Sequence, residues 1–204
     1  MDKNKQSIEM YEKYADEYLA RKDDDAKNGL DEARKNALKE CLIGLPKSAK
    51  IFEVGAAAGD DAKFFQSLGY ENIVVSDIAE SFLAKLKQNG FSPIKFDLAK
   101  DEFDDKYDFI YCWAVLVHLT KDDARAALKK IYDALNDGGR MVVNVKTPDG
   151  DLDEEFSRFA DDENKRIYFS YWAREEFESC LGELGFRKVK IWGYGRWLDC
   201  CAEK

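Results

Sequence analysis

Glu53, Gly55, Ala57 and Gly59 stand at every second position directly behind the apolar start Ile51-Phe52. A helix pattern follows at once, with apolar groups at Ala62, Phe64, Phe65 and Leu68. A strand ending in an acid, a turn of very small residues and a helix start let the backbone approach a nucleotide-like ligand closely. Two further acids end later apolar runs. Asp77 lies 18 residues past Gly59 in Val75-Ser76-Asp77-Ile78, and Asp97 lies in Phe96-Asp97-Leu98. A carboxylate at 77 can accept both hydroxyl protons of a ribose, and one at 97 can accept from an adenine amino group. Any one of these acids alone reads as a loop residue or a helix cap; three at successive strand ends read as a set. The rival dinucleotide turn has the spacing G-x-G-x-x-G, which differs from the alternate spacing here, and no G-x-x-x-x-G-K-[ST] phosphate loop is present.

A second group of residues offers chemistry toward a reaction partner. Trp113 and His118 follow the fourth strand, and His118 reads either as a general base or as a packed histidine at a helix start. Tyr11, Tyr14 and Tyr18 share one face of the first helix, as a lid over the site or as an aromatic stripe packed on the body. Lys146 ends the fifth strand, with Arg158, Arg166 and Arg174 in the loop and helix beyond it. These cations either bind a carboxylate or phosphate or balance the acids Asp149 to Glu155 and Asp161 to Glu163. The acidic segments Asp23-Asp24-Asp25 and Asp151 to Glu155 read as solvated loops. The five cysteines, Cys41, Cys112, Cys180, Cys200 and Cys201, lack C-x-x-C spacing and read either as buried reduced thiols or as thiols for arsenic or redox chemistry. A single histidine rules out a site with two imidazole ligands, so no metal is expected.

The elements that must position these residues alternate. The spacing predicts helices over 5–21 and 31–43, the second closed by Gly44 and Pro46. Strands are predicted at 50–54, 72–76, 93–96, 107–112, 139–146, 186–192 and 197–203, with helices at 60–68, 79–89, 121–135 and 173–184. Such alternation implies βαβ units and a mainly parallel sheet. The end differs: Gly193-Tyr194-Gly195 joins two strands with no helix between, so the last strand should run antiparallel.

At 204 residues the chain is expected to form one domain, and 45% hydrophobic with 36% charged residues is the composition of an ordinary soluble globule. A net charge of −9 argues against a nucleic-acid partner. No apolar run approaches the roughly 20 residues that span a bilayer, and no signal peptide is visible, so a cytoplasmic protein is expected.

Taken together, these residues resemble the class I S-adenosylmethionine-dependent methyltransferases over nearly the whole chain. The resemblance rests on the acid-x-G-x-G-x-G turn, with Ala57 in place of the middle glycine, and on Asp77 and Asp97. It continues through Tyr107-Asp108-Phe109-Ile110, Leu116-Val117-His118-Leu119 and Leu135-Asn136-Asp137-Gly138-Gly139-Arg140. A small bacterial branch also has a Tyr-x-x-x-Ala-x-x-Tyr helix (Tyr11, Ala15, Tyr18) and a late segment like Tyr168 to Phe177.

The resemblance implies a Rossmann-like, doubly wound, seven-stranded sheet of order 3-2-1-4-5-7-6, strand seven antiparallel, with helices on both faces. Residues 1–204 would form a single domain, 1–45 as helices capping the site and 46–204 as the catalytic core. The cofactor would be S-adenosylmethionine, leaving as S-adenosylhomocysteine. Asp77 would hold its ribose, Ile78 and Leu98 would flank the adenine, and Asp97 would bind the amino group. The turn from Glu53 through Gly55, Ala57 and Gly59 would pass under the methionine, with Cys112 and Tyr18 completing the cofactor site. On the substrate side, Tyr11, Tyr14, Trp113, Lys146 and Arg174 are the candidates, with His118 as the candidate catalytic residue. The implied reaction is in-line methyl transfer to an N, O or S atom of a small molecule by a monomer or homodimer. The alternatives are a tRNA or protein methyltransferase, a non-catalytic partner that binds the same cofactor, and an NAD-type oxidoreductase.

Overall fold

The computed structural model describes residues 3–20, 30–150, 152–159 and 162–204. The acidic segment Asp23-Asp24-Asp25, expected as a solvated loop, lies outside the described residues, as do Asp151, Asp161 and the side chains of Arg158 and Glu163. In chain order the elements are α1 (Lys3–Lys13), α2 (Leu30–Cys41), β1 (Ile51–Val54), α3 (Asp60–Ser67), β2 (Ile73–Asp77) and α4 (Glu80–Gln88). Then come β3 (Ile94–Lys95), β4 (Tyr107–Cys112), a single 3₁₀ turn (Leu116–His118), α5 (Lys121–Ala134) and β5 (Leu135–Lys146). The chain closes with β6 (Glu154–Phe159), β7 (Asp162–Ser170), α6 (Arg174–Glu183), β8 (Arg187–Tyr194) and β9 (Trp197–Glu203).

Seven strands form one sheet in the order β3-β2-β1-β4-β5-β9-β8. The pairs from β3 across to β5 are parallel, whereas β9 runs antiparallel to both β5 and β8. This is the expected 3-2-1-4-5-7-6 topology, with β8 and β9 as its sixth and seventh strands. Buried on both faces, β1 and β4 can be apolar along almost their whole length. One face packs Ile110, Met141 and Val143 against Leu128 and Ile131 of α5 and Phe177 of α6. The other packs Ile51, Phe109 and Val142 against Leu38 of α2 and Phe65 of α3. Thr120 caps α5 by accepting from the Asp123 amide at 3.2 Å, which fixes where the chain leaves the 3₁₀ turn.

Two expectations need correction. The stretch after β5, expected as a loop, contains an antiparallel hairpin of β6 and β7 forming a second sheet. Its acids hid it: Glu154 and Glu155 read as solvated, yet they accept from the hydroxyls of Tyr168 (2.7 Å) and Tyr171. The first helix, expected over 5–21, is interrupted at Tyr14 and resumes over 15–20. The Tyr14 ring lies 4.0 Å from Nζ of Lys165 on β7, which separates it from the Tyr11 and Tyr18 stripe.

Candidate active site

The carboxyl ends of β1, β2, β3 and β4 open into one cleft, roofed by α1 and residues 15–20, with about 720 Å³ of empty space including its mouth. The turn after β1 forms its floor. Gly55 has φ +70°, and a Cβ there would come within 2.5 Å of Val115 Cγ2, so only glycine fits. Ala57 also sits in the left-handed region at φ 51°. Its methyl group packs with Ala15, Ala79 and Phe82, so it belongs to the contact between the turn and the roof.

Asp77 is 5% exposed at the end of β2 and lines the cleft. Its Oδ2 accepts from the Ala57 amide and its Oδ1 from the Ala79 amide, both at 3.0 Å. Burial raises its pKa above the usual carboxylate value, and the amides of Ala79 and Ala57 oppose that shift. An ionised carboxylate has about four acceptor positions, so both oxygens keep capacity for a ligand. Ile78, Phe96, Asp97 and Leu98 line the same side of the cleft. Asp97 accepts from the Ala99 amide at 3.0 Å and pairs with Lys100 at 3.1 Å.

The opposite side comes from the chain after β4. Asn144 Oδ1 accepts from the Ala114 amide at 2.6 Å, and Ala114 has φ 57°. The resulting sharp turn brings Trp113, Val115 and His118 to the cleft wall. His118 is buried, and its Nδ1 lies 2.8 Å from the Tyr168 carbonyl oxygen. A carbonyl only accepts, so Nδ1 carries the proton and Nε2 is the acceptor. The Tyr11 hydroxyl then donates to Nε2 across 2.9 Å. Burial drives the His118 pKa down to about 4, against the Tyr168 bond and with a lesser push from the Lys146 charge.

The roof is fixed at both edges. The Tyr168 amide donates to Ser7 Oγ at 3.2 Å, and the Ser81 amide donates to Glu12 Oε1 at 3.2 Å. The aromatic stripe of the first segment therefore packs on the body and lines the cleft at the same time.

Of the residues singled out from sequence, the cleft gathers Gly55, Ala57, Asp77, Ile78, Asp97, Leu98, Trp113, His118, Tyr11 and Tyr18. Others lie elsewhere. Cys112 is fully buried in the core against α5, because alternation along β4 turns it away from the cleft. Tyr14 is held at Lys165. Arg174 starts α6 on the surface, pairing with Glu178 at 3.1 Å, so it behaves as a solvated charge. Arg166 donates to the Phe156 carbonyl of its own hairpin at 2.8 Å. Glu53 is buried on β1, in register with Val75 and Tyr111, and a Cβ at Gly59 would meet Phe91 and Leu86; neither residue lines the cleft. Lys146 lies outside the cleft, behind Phe169.

Residues the sequence reading missed include Ser7, Ile8 and Phe82 in the lining, and Arg34 behind Trp113. Arg34 donates to Asp61 and, at 2.7 Å, to the Tyr111 hydroxyl, which joins α2 to α3 and β4. The i, i+4 spacing of Ser7 and Tyr11 was the available signal for the first. Among the described residues no group of three or more His, Cys, Asp or Glu could hold a metal, and no helix is long and apolar enough to cross a membrane.

Residues 18–191 match the model of a family described as a methyltransferase domain. The probable S-adenosyl-L-methionine-dependent methyltransferase TehB of Haemophilus influenzae is 27% identical over 144 residues, 66% of this chain and 50% of that protein. The chain thus spans about half the length of the curated relatives it matches. Among solved structures, the DhpI–SAH complex superposes with a TM-score of 0.77 at 18% identity, covering 98% of this chain and 95% of that one. Magnesium protoporphyrin IX methyltransferase (ChlM) from Synechocystis PCC 6803 gives 0.72 at 15%, covering 100% and 98%. At such identities the structural likeness is one of fold. The family match covers most of the length, and on that ground the chain belongs to the class I S-adenosylmethionine-dependent methyltransferases.

Proposed function

We propose that the protein transfers the methyl group of S-adenosylmethionine to an N, O or S atom of a small-molecule acceptor. The observation that carries this reading is the cleft itself, where the Asp77 and Asp97 wall faces the Tyr11–His118 pair. The residues fit the cofactor. Gly55 leaves bare backbone where a Cβ would clash, Asp77 keeps acceptor capacity for a ribose, and Ile78 and Leu98 offer apolar faces to an adenine. Asp97 stands beside them as an acceptor for the adenine amino group. Bound there, the cofactor supplies a methyl group activated by an adjacent sulfonium.

The chain's own residues then have to align the acceptor and exclude water. A pKa near 4 leaves His118 neutral at physiological pH and makes it a weak base. Its role in this reading is to position Tyr11. Because the phenol proton is committed to Nε2, the Tyr11 oxygen presents its lone pairs to an O–H, N–H or S–H of the acceptor. Of the cap expected over 1–45, residues 3–20 take this role in the described chain, since Ser7, Ile8, Tyr11 and Tyr18 supply the lining.

The net charge of −9 supports a small acceptor over tRNA, and the relative named for magnesium protoporphyrin IX supports it further. The test is a screen of metabolite classes for uptake of labelled methyl. Turnover on a small molecule bears the reading out. Turnover only on tRNA or protein overturns the acceptor class, and cofactor binding with no turnover on any class points to a non-catalytic partner.

A further inference from the structure

Two cations meet at the carboxyl end of β5, outside the cleft. Lys146 Nζ lies 3.9 Å from the centre of the Phe169 ring and 4.7 Å from that of Trp197. Arg196, in the turn between β8 and β9, places its guanidinium carbon 4.6 Å over the Tyr171 ring. The residue after Lys146 clamps Arg196 in place: Arg196 Nε donates to the Thr147 carbonyl at 3.1 Å, and the Thr147 amide donates to the Arg196 carbonyl at 2.7 Å. Burial, with the charge of Arg196, drives the Lys146 pKa down to about 8.

One acid, Glu155 of β6, acts on both cations but bridges neither. One oxygen of its carboxylate, Oε1, accepts from the hydroxyls of both Ser157 and Tyr171. Among the described residues no carboxylate lies within ion-pairing distance of Lys146 Nζ, which sits against the rings of Phe169 and Trp197, and the buried Arg196 Nη2 has no hydrogen-bond partner. Two cations that act on each other beside a single carboxylate, in a chain of net charge −9, leave an excess positive charge walled by aromatic rings. The site is one ring from the cleft: Phe169, which Lys146 covers on one side, has its centre 4.9 Å from the His118 ring.

We propose that Lys146 and Arg196 form a binding notch for an oxyanion, a carboxylate or a phosphate-type group, carried by the methyl acceptor. The acceptor is then an acidic small molecule whose anion sits beyond Phe169 while its nucleophile lies beside Tyr11. This rests on the methyltransferase reading above. A purely structural lysine would be satisfied by pairing with Glu155, and that pair is not formed.

The test uses the full chain saturated with S-adenosylhomocysteine and titrated separately with inorganic phosphate and acetate. The readout is the nuclear magnetic resonance signal of the Trp197 indole, assigned with Trp197→Phe. The expected result is a saturable shift with one of the two anions, weakened about tenfold or more in Lys146→Gln and in Arg196→Gln and largely restored in Lys146→Arg. No saturable shift with either anion overturns the proposal, as does a shift unchanged in both Gln variants. Should Arg196→Gln fail to fold, the Lys146→Gln and Lys146→Arg pair decides alone. Calorimetry of S-adenosylhomocysteine on the same samples separates the two readings. Intact cofactor binding without an anion shift removes the notch only. A Lys146-dependent shift without cofactor binding keeps the notch and removes the methyltransferase reading.

Discussion

Tyr11 and His118, 107 residues apart in sequence, meet across 2.9 Å with the phenol as donor and Nε2 as acceptor. The direction follows from the other ring nitrogen, which must donate to the Tyr168 carbonyl. Tyr168 in turn holds Ser7 through its amide, so one residue of β7 fixes both the histidine and the helix that carries Tyr11. The cleft wall and its roof therefore form one hydrogen-bonded unit.

Tyr11→Phe removes the hydroxyl and keeps the ring. Losing one part-buried hydrogen bond costs about 1 kcal/mol of stability. Turnover on an acceptor found by the methyl-uptake screen is expected to fall about tenfold or more, with S-adenosylhomocysteine affinity changed less than about threefold. Equal losses in turnover and in cofactor affinity would place Tyr11 on the cofactor instead.

His118 sets an acid limit on stability. An unfolded histidine titrates near 6.5 and the folded one at about 4, so between these values the unfolded chain binds more protons. Its contribution is intact above pH 6.5 and is lost as pH falls toward 4, on the order of 3 kcal/mol in all. Denaturant unfolding of the wild type and His118→Gln at pH 7, 5 and 4 checks this, because carboxylates common to both cancel. The wild type's advantage should shrink as pH falls; a constant difference would show that the histidine is not held neutral by burial.

Asp77→Ala removes the acceptor of two backbone amides and, in the proposed reading, the acceptor of the cofactor ribose. Affinity for S-adenosylhomocysteine is expected to drop more than about tenfold. Calorimetry that returns wild-type affinity would refute the assignment of the β2 acid.

The turn makes opposite predictions at two positions. Gly55→Ala places a methyl group 2.5 Å from Val115 Cγ2 at a positive φ, so both stability and cofactor affinity should fall. Adding Val115→Ala should recover only part of the loss, because the backbone strain remains. Ala57→Gly relieves a left-handed alanine worth roughly 1 kcal/mol while giving up a small packing contact. The thermal midpoint should change by only a few degrees, with cofactor affinity held within about threefold. A large loss of affinity in Ala57→Gly would show that the methyl group shapes the site.

The alternation of strands and helices was legible because its signals are local, whereas the strand order came only from the family resemblance. Strands buried on both faces, such as the one containing Val74 and Val75, and acids at strand ends such as Asp77 survive as patterns in one dimension. The β6–β7 hairpin was not, because Glu154 and Glu155 become cross-strand acceptors only once Tyr168 and Tyr171 face them. Cys112 and Trp113 show the resolution of such reading. Neighbours in sequence, one enters the core and the other the cleft, because successive side chains at the end of β4 point to opposite faces. Arg196 escaped notice because a hairpin carries it to Lys146 from 50 residues away, which no periodicity records.

The most direct test of the account is a calorimetric titration of the purified protein with S-adenosylhomocysteine, with NADH as the control ligand. The cleft built on Gly55, Asp77 and Asp97 predicts saturable binding of the first, at roughly micromolar affinity, and none of the second. Binding of NADH in preference, or of neither ligand, would contradict it.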